Sequence, residues 1–298
     1  MSAPEQPFGL RDVALRRCLL AVTVLHDLDL SWDHDPGTED GVPDLRIDGP
    51  TPIHVPAHRL RDLLDGRDLE HRDLEHRDLD HRDTVQRVAR WLLLRRALQH
   101  VPPALILDAI RLVGLPAEHV THPGPDWVRA RIPGDALTLG LGLLPGPLTA
   151  PKPVPLPPGL LDELGVDPAS VWPAALARLE ELGALAAARR RRRPRDPIHP
   201  LAEADVVTLL ASRRLRFQLA TETSSGMAAL VVPMLTRGWV SNASIDPAFG
   251  PAAAAATSAE ERGFPRPLLV TEYEVVQVPE GGHPLRYLGM QKPRSPWS

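Results

Sequence analysis

The fold class is decided by residues 215–245, which read LRFQLATETSSGMAALVVPMLTRGWVSNASI. Two largely apolar segments, 215–223 and 227–235, flank the turn-forming triplet SSG at 224–226. This arrangement predicts a β-hairpin, and residues 239–245 predict a further strand. Strands joined by a short turn pair antiparallel, so we expect an antiparallel sheet in this part of the chain.

The elements around this stretch support the same fold class. A second hairpin is predicted where segments 268–278 and 285–290 flank the sequence EGGH at 280–283. Helices with regular apolar spacing precede or separate the hairpins, and we place them at 171–188, 201–212 and 251–262. This order of helices and hairpins favours an antiparallel sheet with helices on one side over a parallel, doubly wound sheet.

The N-terminal half shows a less regular mixture of elements. Its apolar spacing predicts helices at 9–26, 84–100 and 104–114, short strands near 28–33, 44–48 and 52–56, and a hairpin formed by 127–132 and 136–143. The two halves together predict the α+β class. We expect a two-part architecture, with a mixed α/β N-terminal half and an antiparallel sheet with helices in the C-terminal half.

A proline-rich segment divides the two halves. Residues 145–159 contain seven prolines, all between positions 145 and 158, which predicts an extended, semi-rigid linker. We therefore expect an N-terminal domain at 1–144 and a C-terminal domain at 160–298. A surface loop within one large domain would have the same sequence pattern, so both arrangements stay open.

The composition of the 298 residues restricts the class of protein. Hydrophobic residues make up 43% of the chain, enough for a packed core, and the net charge of −4 argues against a general nucleic-acid-binding or membrane-coating surface. The single cysteine, Cys18, cannot form an internal disulfide, which favours a reducing compartment. Only Lys152 and Lys292 are lysines among the 34 basic residues, a bias typical of GC-rich bacterial genomes. We therefore expect a bacterial, cytoplasmic protein without a membrane span.

The most motif-like part of the chain is a tandem five-residue repeat at 67–83, in which RDLEH occurs twice before RDLDH and RD. A pentapeptide solenoid needs more repeats than these. Five-residue spacing also turns successive histidines to different sides of a helix, which disfavours a metal site. Aspartate and arginine four residues apart support a solvated helix. We interpret the segment as a charged helical extension or a loop that leads into the helix at 84–100.

A run of five arginines follows the predicted helix at 171–188 and is the best candidate for a binding site: Arg189, Arg190, Arg191, Arg192 and Arg193. Guanidinium groups can clamp phosphates or other anions. Cations at a helix C-terminus also offset the macrodipole, and charge runs are commonly solvated. Anion binding and a purely structural role are therefore both open.

Acidic and histidine residues of the N-terminal half form the candidate metal site. Asp33, His34 and Asp35 belong to an acidic stretch with the alternating oxygen donors of a calcium loop, but the loop's glycine is misplaced and its closing glutamate is absent. His54 and His58 are four residues apart, although a proline between them argues against a regular helix. An acidic surface loop with ordinary histidines would explain the same residues.

The sequence contains no complete catalytic motif. It lacks a GxGxxG fingerprint after a strand, a Walker loop, a GxSxG elbow and paired cysteines. Our leading hypothesis is a non-catalytic protein-interaction or regulatory protein whose partner is another protein. One alternative is an enzyme that uses the Asp and His residues of the N-terminal half, with or without a metal. The other is a protein that binds nucleic acid or another polyanion through the arginine run. The sequence identifies neither a cofactor nor a substrate.

Overall fold

The structure, a computed structural model, describes residues 10–26, 28–33, 44–48, 52–55, 77–98, 101–123, 127, 130–144, 152–157, 159–240 and 248–279. Several predicted features lie wholly or partly outside these residues. They include the first two repeat units at 67–76, residues 241–245 of the predicted strand at 239–245, and the strand at 285–290 with its turn. Within the described residues, helices and antiparallel sheets are both present. The predicted α+β class is therefore confirmed.

The described residues divide into two compact units, the first up to Pro102 and the second comprising most of those from Pro103 onward. The elements of the first unit are α1 (Leu10–His26), β1 (Leu30–Asp33), β2 (Asp44–Ile47), β3 (Ile53–Val55) and α2 (Arg77–Leu98). The strands form an antiparallel sheet in the order β1-β2-β3. Helix α2 begins earlier than predicted, since its first turns contain the RDLDH unit at 77–81.

Helices α1 and α2 pack against each other and supply much of the first unit's core. Val85, Val88 and Leu92 of α2 are buried, as their three- and four-residue spacing predicts. Trp91 is the largest side chain buried in this cluster. Cys18 of α1 is buried in the same cluster, where a free thiol packs as a small apolar residue.

The second unit begins with helix α3 and an antiparallel sheet. The helix is α3 (Pro103–Ala109), and the strands are β4 (Ile110–Pro116), β5 (Ala130–Arg131), β6 (Leu137–Leu143) and β7 (Val154–Pro155). The order is β4-β6-β5, and β7 also pairs with β6. The register places Ile110 opposite Leu143 and Pro116 opposite Leu137. Every residue of β6 is buried, so this strand is central to the unit's packing.

More helices and a second antiparallel sheet follow along the chain. The helices are α4 (Leu160–Glu163), α5 (Pro168–Arg192), α6 (Val206–Ala211), α7 (Arg213–Thr221) and α8 (Phe249–Ala256). The strands are β8 (Ala228–Met234), β9 (Arg237–Val240), β10 (Leu268–Val270) and β11 (Val275–Gln277), in the order β11-β10-β8-β9. The Asp167 side chain caps α5 by accepting a hydrogen bond from the Ala169 N–H at 2.9 Å.

The predicted linker at 145–159 is only partly described. Its residues Val154 and Pro155 form β7, which pairs with β6, and Leu156 is buried. This part of the segment lies within the second unit. The two units divide in sequence at Pro102 and Pro103.

The predicted strand at 215–223 is wrong, because these residues form most of helix α7. Leu215, Leu219 and Ala220 recur with helical spacing and are all buried. The second half of the predicted hairpin is confirmed as β8, which pairs antiparallel with β9. The turn triplet at 224–226 therefore connects a helix to a strand.

Two further elements differ from the prediction. Residues 110–114, predicted as the end of a helix, belong to β4, which pairs with β6 along its whole length. Segment 268–278, predicted as one strand, contains β10, a turn and β11. The Thr271 hydroxyl accepts hydrogen bonds from the N–H groups of Tyr273 and Glu274, which stabilises this turn.

Candidate functional site

The five arginines of the predicted binding run lie in the last turn of α5 and at its C-cap. The cap residue Arg193 donates its backbone N–H to the carbonyls of Arg189 and Arg190, and the helix ends there. Arg190 is buried, whereas the other four arginines are exposed. The structure thus separates one arginine of the run from the rest.

Arg190 joins the end of α5 to the end of α7. Its Nε donates to both carboxylate oxygens of Glu222 at 3.0 Å, and its Nη2 donates to Glu222 Oε2 at 2.9 Å. Its Nη1 donates to the backbone carbonyl of Asp196 at 2.9 Å. Arg190 therefore has a structural role. The sequence already indicates that Arg190 is buried, because helical spacing places it on the same buried face of α5 as Leu179 and Ala186.

A second contact fixes the other end of α7 against α5. The Glu180 carboxylate accepts hydrogen bonds from Ser212 Oγ at 2.8 Å, from the Arg213 N–H at 2.9 Å and from the Arg214 N–H at 3.3 Å. The first N–H groups of a helix have no partner within the helix, so Glu180 acts as a cap supplied by a neighbouring helix. A Cβ at Gly183 would overlap the Ser212 side chain, so the close packing of the two helices requires glycine there.

We expect Glu180→Gln to lower the free energy of unfolding by about 1–2 kcal/mol, because a neutral amide caps the three donors less well. Urea unfolding of the full chain, followed by circular dichroism, measures this change. Glu181→Gln is the matched control, since the Glu181 side chain is 67% exposed and pairs with Arg178 at 3.5 Å. We expect it to have little effect. Equal losses in both variants would contradict the capping role.

The exposed arginines of the run lie on two sides of α5. Helical spacing places Arg191 on the side that packs against α7, where its Nη1 donates to Gln218 Oε1 at 3.0 Å. Arg189 and Arg192 lie on the opposite side together with Leu185, whose exposed fraction is 58%. An apolar side chain and two cations therefore share the face of α5 that is turned away from α7.

We define the α5 surface as Leu185, Arg189, Arg192 and Arg193. In the part of the chain that the structure describes, the side chains of Arg189 and Arg192 form no hydrogen bond or ion pair. Arg193 Nη1 lies 3.7 Å from Asp196 Oδ2, and both side chains are exposed, so this ion pair is weak. Contacts with other described residues thus compensate the positive charge of the α5 surface only in part.

A small cavity of about 20 Å³ lies beside the α5 surface. Its polar lining consists of Arg189, Arg190, Arg193, Asp196 and His199, and its other walls are apolar. Burial and the positive charges of Arg237 and Arg189 lower the pKa of His199, although Asp196 acts in the opposite direction. The His199 imidazole therefore favours its neutral form more than an ordinary histidine does, and in that form one ring nitrogen carries a proton that it can donate.

The residues of the predicted metal site are only partly described. Asp33 is the last residue of β1 and His54 lies in β3, while His34, Asp35 and His58 lie outside the described residues. Strand β2 separates β1 from β3, so Asp33 and His54 lie on strands that are not adjacent. Among the residues that the structure describes, no three His, Cys, Asp or Glu side chains form a group that could hold a metal ion. The metal site stays a prediction.

Two other polar clusters connect secondary-structure elements. Asp205 caps α6 by accepting a hydrogen bond from the Thr208 N–H at 2.8 Å, and burial raises the pKa of this carboxyl group. Glu203 accepts hydrogen bonds from Nε of Arg111 at 3.1 Å and from Nε of Arg178 at 2.9 Å. Burial acts to raise the pKa of Glu203, but the hydrogen bond from Arg178, a backbone hydrogen bond and the charges of the two arginines lower it overall. Both clusters thus have structural explanations.

Comparisons with protein-family models, with curated proteins and with solved structures found no match for this chain. Within the described residues, no helix combines the length and the apolar character needed to cross a membrane. Function must therefore be inferred from the chain's own residues, and the α5 surface with the adjacent cavity is the candidate that we consider.

Proposed function

We propose that this chain is a non-catalytic interaction protein that binds an acidic segment of another protein through the α5 surface. The observation that carries the proposal is the exposed Leu185 beside Arg189 and Arg192, whose charges have no partner among the described residues. An apolar side chain among cations complements a segment that presents acidic and apolar side chains on one face. The proposed setting is the bacterial cytoplasm, which the single cysteine and the arginine bias support.

The fixed position of α5 adds to this support. The pair of Arg190 and Glu222 connects the end of α5 to α7, and Glu180 connects the two helices farther back. A helix that is already ordered loses little backbone entropy when a partner binds, so weak contacts at its surface contribute more to affinity. These arginines differ in this respect from a charge run in a solvated loop.

The chemistry of the α5 surface favours an acidic protein segment over a nucleic acid. By definition the surface combines three arginines with Leu185, and it contains no aromatic ring on which a base could stack. The formal net charge of −4 also disfavours long-range attraction of a polyanion. A carboxylate-rich segment needs only the local arginines, because such charges act over about one Debye length.

We expect Leu185→Ser combined with Arg192→Gln to weaken the binding of an acidic amphipathic peptide about 10-fold. The variant removes the apolar contact and one uncompensated charge, and neither residue lines the cavity. The probe is a fluorescein-labelled peptide of about 15 residues with Glu and Leu at helical spacing. Fluorescence anisotropy at low and at moderate salt measures its affinity for the full chain.

The control variant is Arg214→Gln, which removes one exposed arginine from α7. We expect this variant to bind the peptide as the unmodified chain does, and we expect a peptide with Gln in place of Glu not to bind. Equal losses in the control variant, or equal binding of the neutral peptide, would contradict the proposal. Preferential binding of a single-stranded oligonucleotide of the same charge would overturn it in favour of polyanion binding.

A further inference from the structure

The cavity beside the α5 surface has the size of a single functional group. Its volume of about 20 Å³ accommodates roughly one water-sized atom. The end of α5 and the segment 196–199 both line it, and they contribute Arg189, Arg193 and His199. One oxygen of a small polar group fits this space, whereas a ring or a nucleotide does not.

The charges of the lining decide which group the cavity accepts. Arg190 is compensated by Glu222, and Asp196 lies close enough to Arg193 to offset its charge in part. Arg189 has no ion-pair partner among the described residues, so its guanidinium leaves about one positive charge uncompensated at the cavity. The lining therefore keeps a net positive charge, which favours an anion, while the nearby Asp196 disfavours a group that carries more than one negative charge.

We propose that this cavity is a subsite for one carboxylate group of the partner segment, an inference that rests on the proposed function. One carboxylate oxygen enters the cavity, and Arg189 and Arg193 donate hydrogen bonds to the group. A planar guanidinium group matches the two oxygens of a carboxylate better than an ammonium group does. The carboxylate belongs to an Asp or Glu side chain or to the partner's C-terminus.

The pKa of His199 is expected to change when a carboxylate occupies the subsite. The charged groups that act on its ring are Arg189 from α5, Arg237 from β9 and Asp196 from the intervening segment, while Arg190 and Arg193 line the same cavity. The two cations and burial lower the pKa of the free imidazole. A bound carboxylate favours the imidazolium form, so it raises the pKa of His199. By linkage, the carboxylate binds more tightly as the pH falls through the pKa of His199 in the complex, as long as the carboxylate itself stays ionised.

The test uses the full chain with ¹⁵N-labelled histidine, and its first probe is sodium acetate. The His199 signal is identified by its loss in His199→Gln. We expect acetate to shift this signal and raise the pKa of His199, beyond the effect of sodium chloride at equal ionic strength. Arg189→Gln and Arg193→Gln should weaken the acetate response about 5-fold, whereas Arg214→Gln should not change it. A response equal to that of chloride, or equal losses in Arg214→Gln, would overturn the subsite.

Two short peptides then distinguish the sources of the carboxylate. One is blocked at both ends and contains a single Glu, and the other contains only Ala and has a free C-terminus. A shift of the His199 signal with either peptide supports the subsite and identifies the source of the carboxylate. No shift with either peptide overturns the subsite. The proposed function is tested separately, because Leu185 and Arg192 do not line the cavity. If their replacement weakens the acidic peptide but Arg193→Gln does not, the proposed function stands and the subsite fails.

Discussion

Replacing Arg190 by methionine is expected to lower the free energy of unfolding of the second unit by about 3 kcal/mol. Methionine fills much of the same space, but it leaves the Glu222 carboxylate, whose side chain is 19% exposed, without its cation. The backbone carbonyl of Asp196 loses its donor as well. A partly buried charge without a partner costs far more than a lost surface ion pair. Urea unfolding of the full chain, with hydrogen exchange of α5 and α7, measures the effect.

The matched control for this prediction is Arg192→Met, which makes the same change on an exposed residue of the same helix. We expect it to change the free energy of unfolding by less than about 0.5 kcal/mol. The double variant Arg190→Met with Glu222→Gln should lose less than the two single variants together, because the uncompensated charge is then removed. Additive losses, or an equal loss in Arg192→Met, would show that the ion pair does not join α5 and α7.

Helices with long apolar stripes are predictable from this sequence. The predicted helices at 84–100 and 171–188 correspond to α2 and α5, because their apolar spacing is sustained over several turns. Their ends are less predictable. Helix α2 includes the unit at 77–81, whose mostly charged sequence gives no apolar spacing, and α5 begins with the Asp167 cap and a proline in the first helical position.

The residues of α7 alone could not decide whether this segment forms a helix or a strand. Leu215, Phe217 and Leu219 alternate as in a half-buried strand, while Leu215 and Leu219 also have helical spacing. The structure resolves the ambiguity through a distant contact, since Glu180 of α5 caps the first turn of α7. Phe217 is consequently 52% exposed. Tertiary capping of this kind leaves no trace in the local pattern.

Only part of the candidate site could be predicted from the sequence, because some of its contacts join residues that are distant along the chain. The arginine run is evident in the sequence, and the helical period alone places Arg190 on the buried face of α5. Its partner Glu222 lies 32 residues further along the chain, so their pairing required the structure. The cavity also depends on His199, which lies beyond the end of α5 and belongs to no sequence motif.

Gly140→Ala is the second variant for which we expect a large effect, a loss of about 3 kcal/mol in the free energy of unfolding. Gly140 lies in the middle of β6, and a Cβ at this position would overlap the indole ring of Trp127. The ring is buried, and its Nε1 donates a hydrogen bond to the Leu141 carbonyl at 2.7 Å. The ring therefore cannot move away without losing this hydrogen bond and its buried packing. Urea unfolding of the full chain measures the loss.

The control for this variant is Gly238→Ala, which places the same methyl group in strand β9. There the new Cβ would lie 3.1 Å from side-chain methyl groups of Val206 and Val232, which can adjust, so we expect a loss below about 1 kcal/mol. In a Trp127→Ala background the ring is gone, and Gly140→Ala should then cost little, because the methyl group occupies part of the vacated space. If Gly140→Ala is as costly without the ring as with it, the close approach of Trp127 is not what requires glycine in β6.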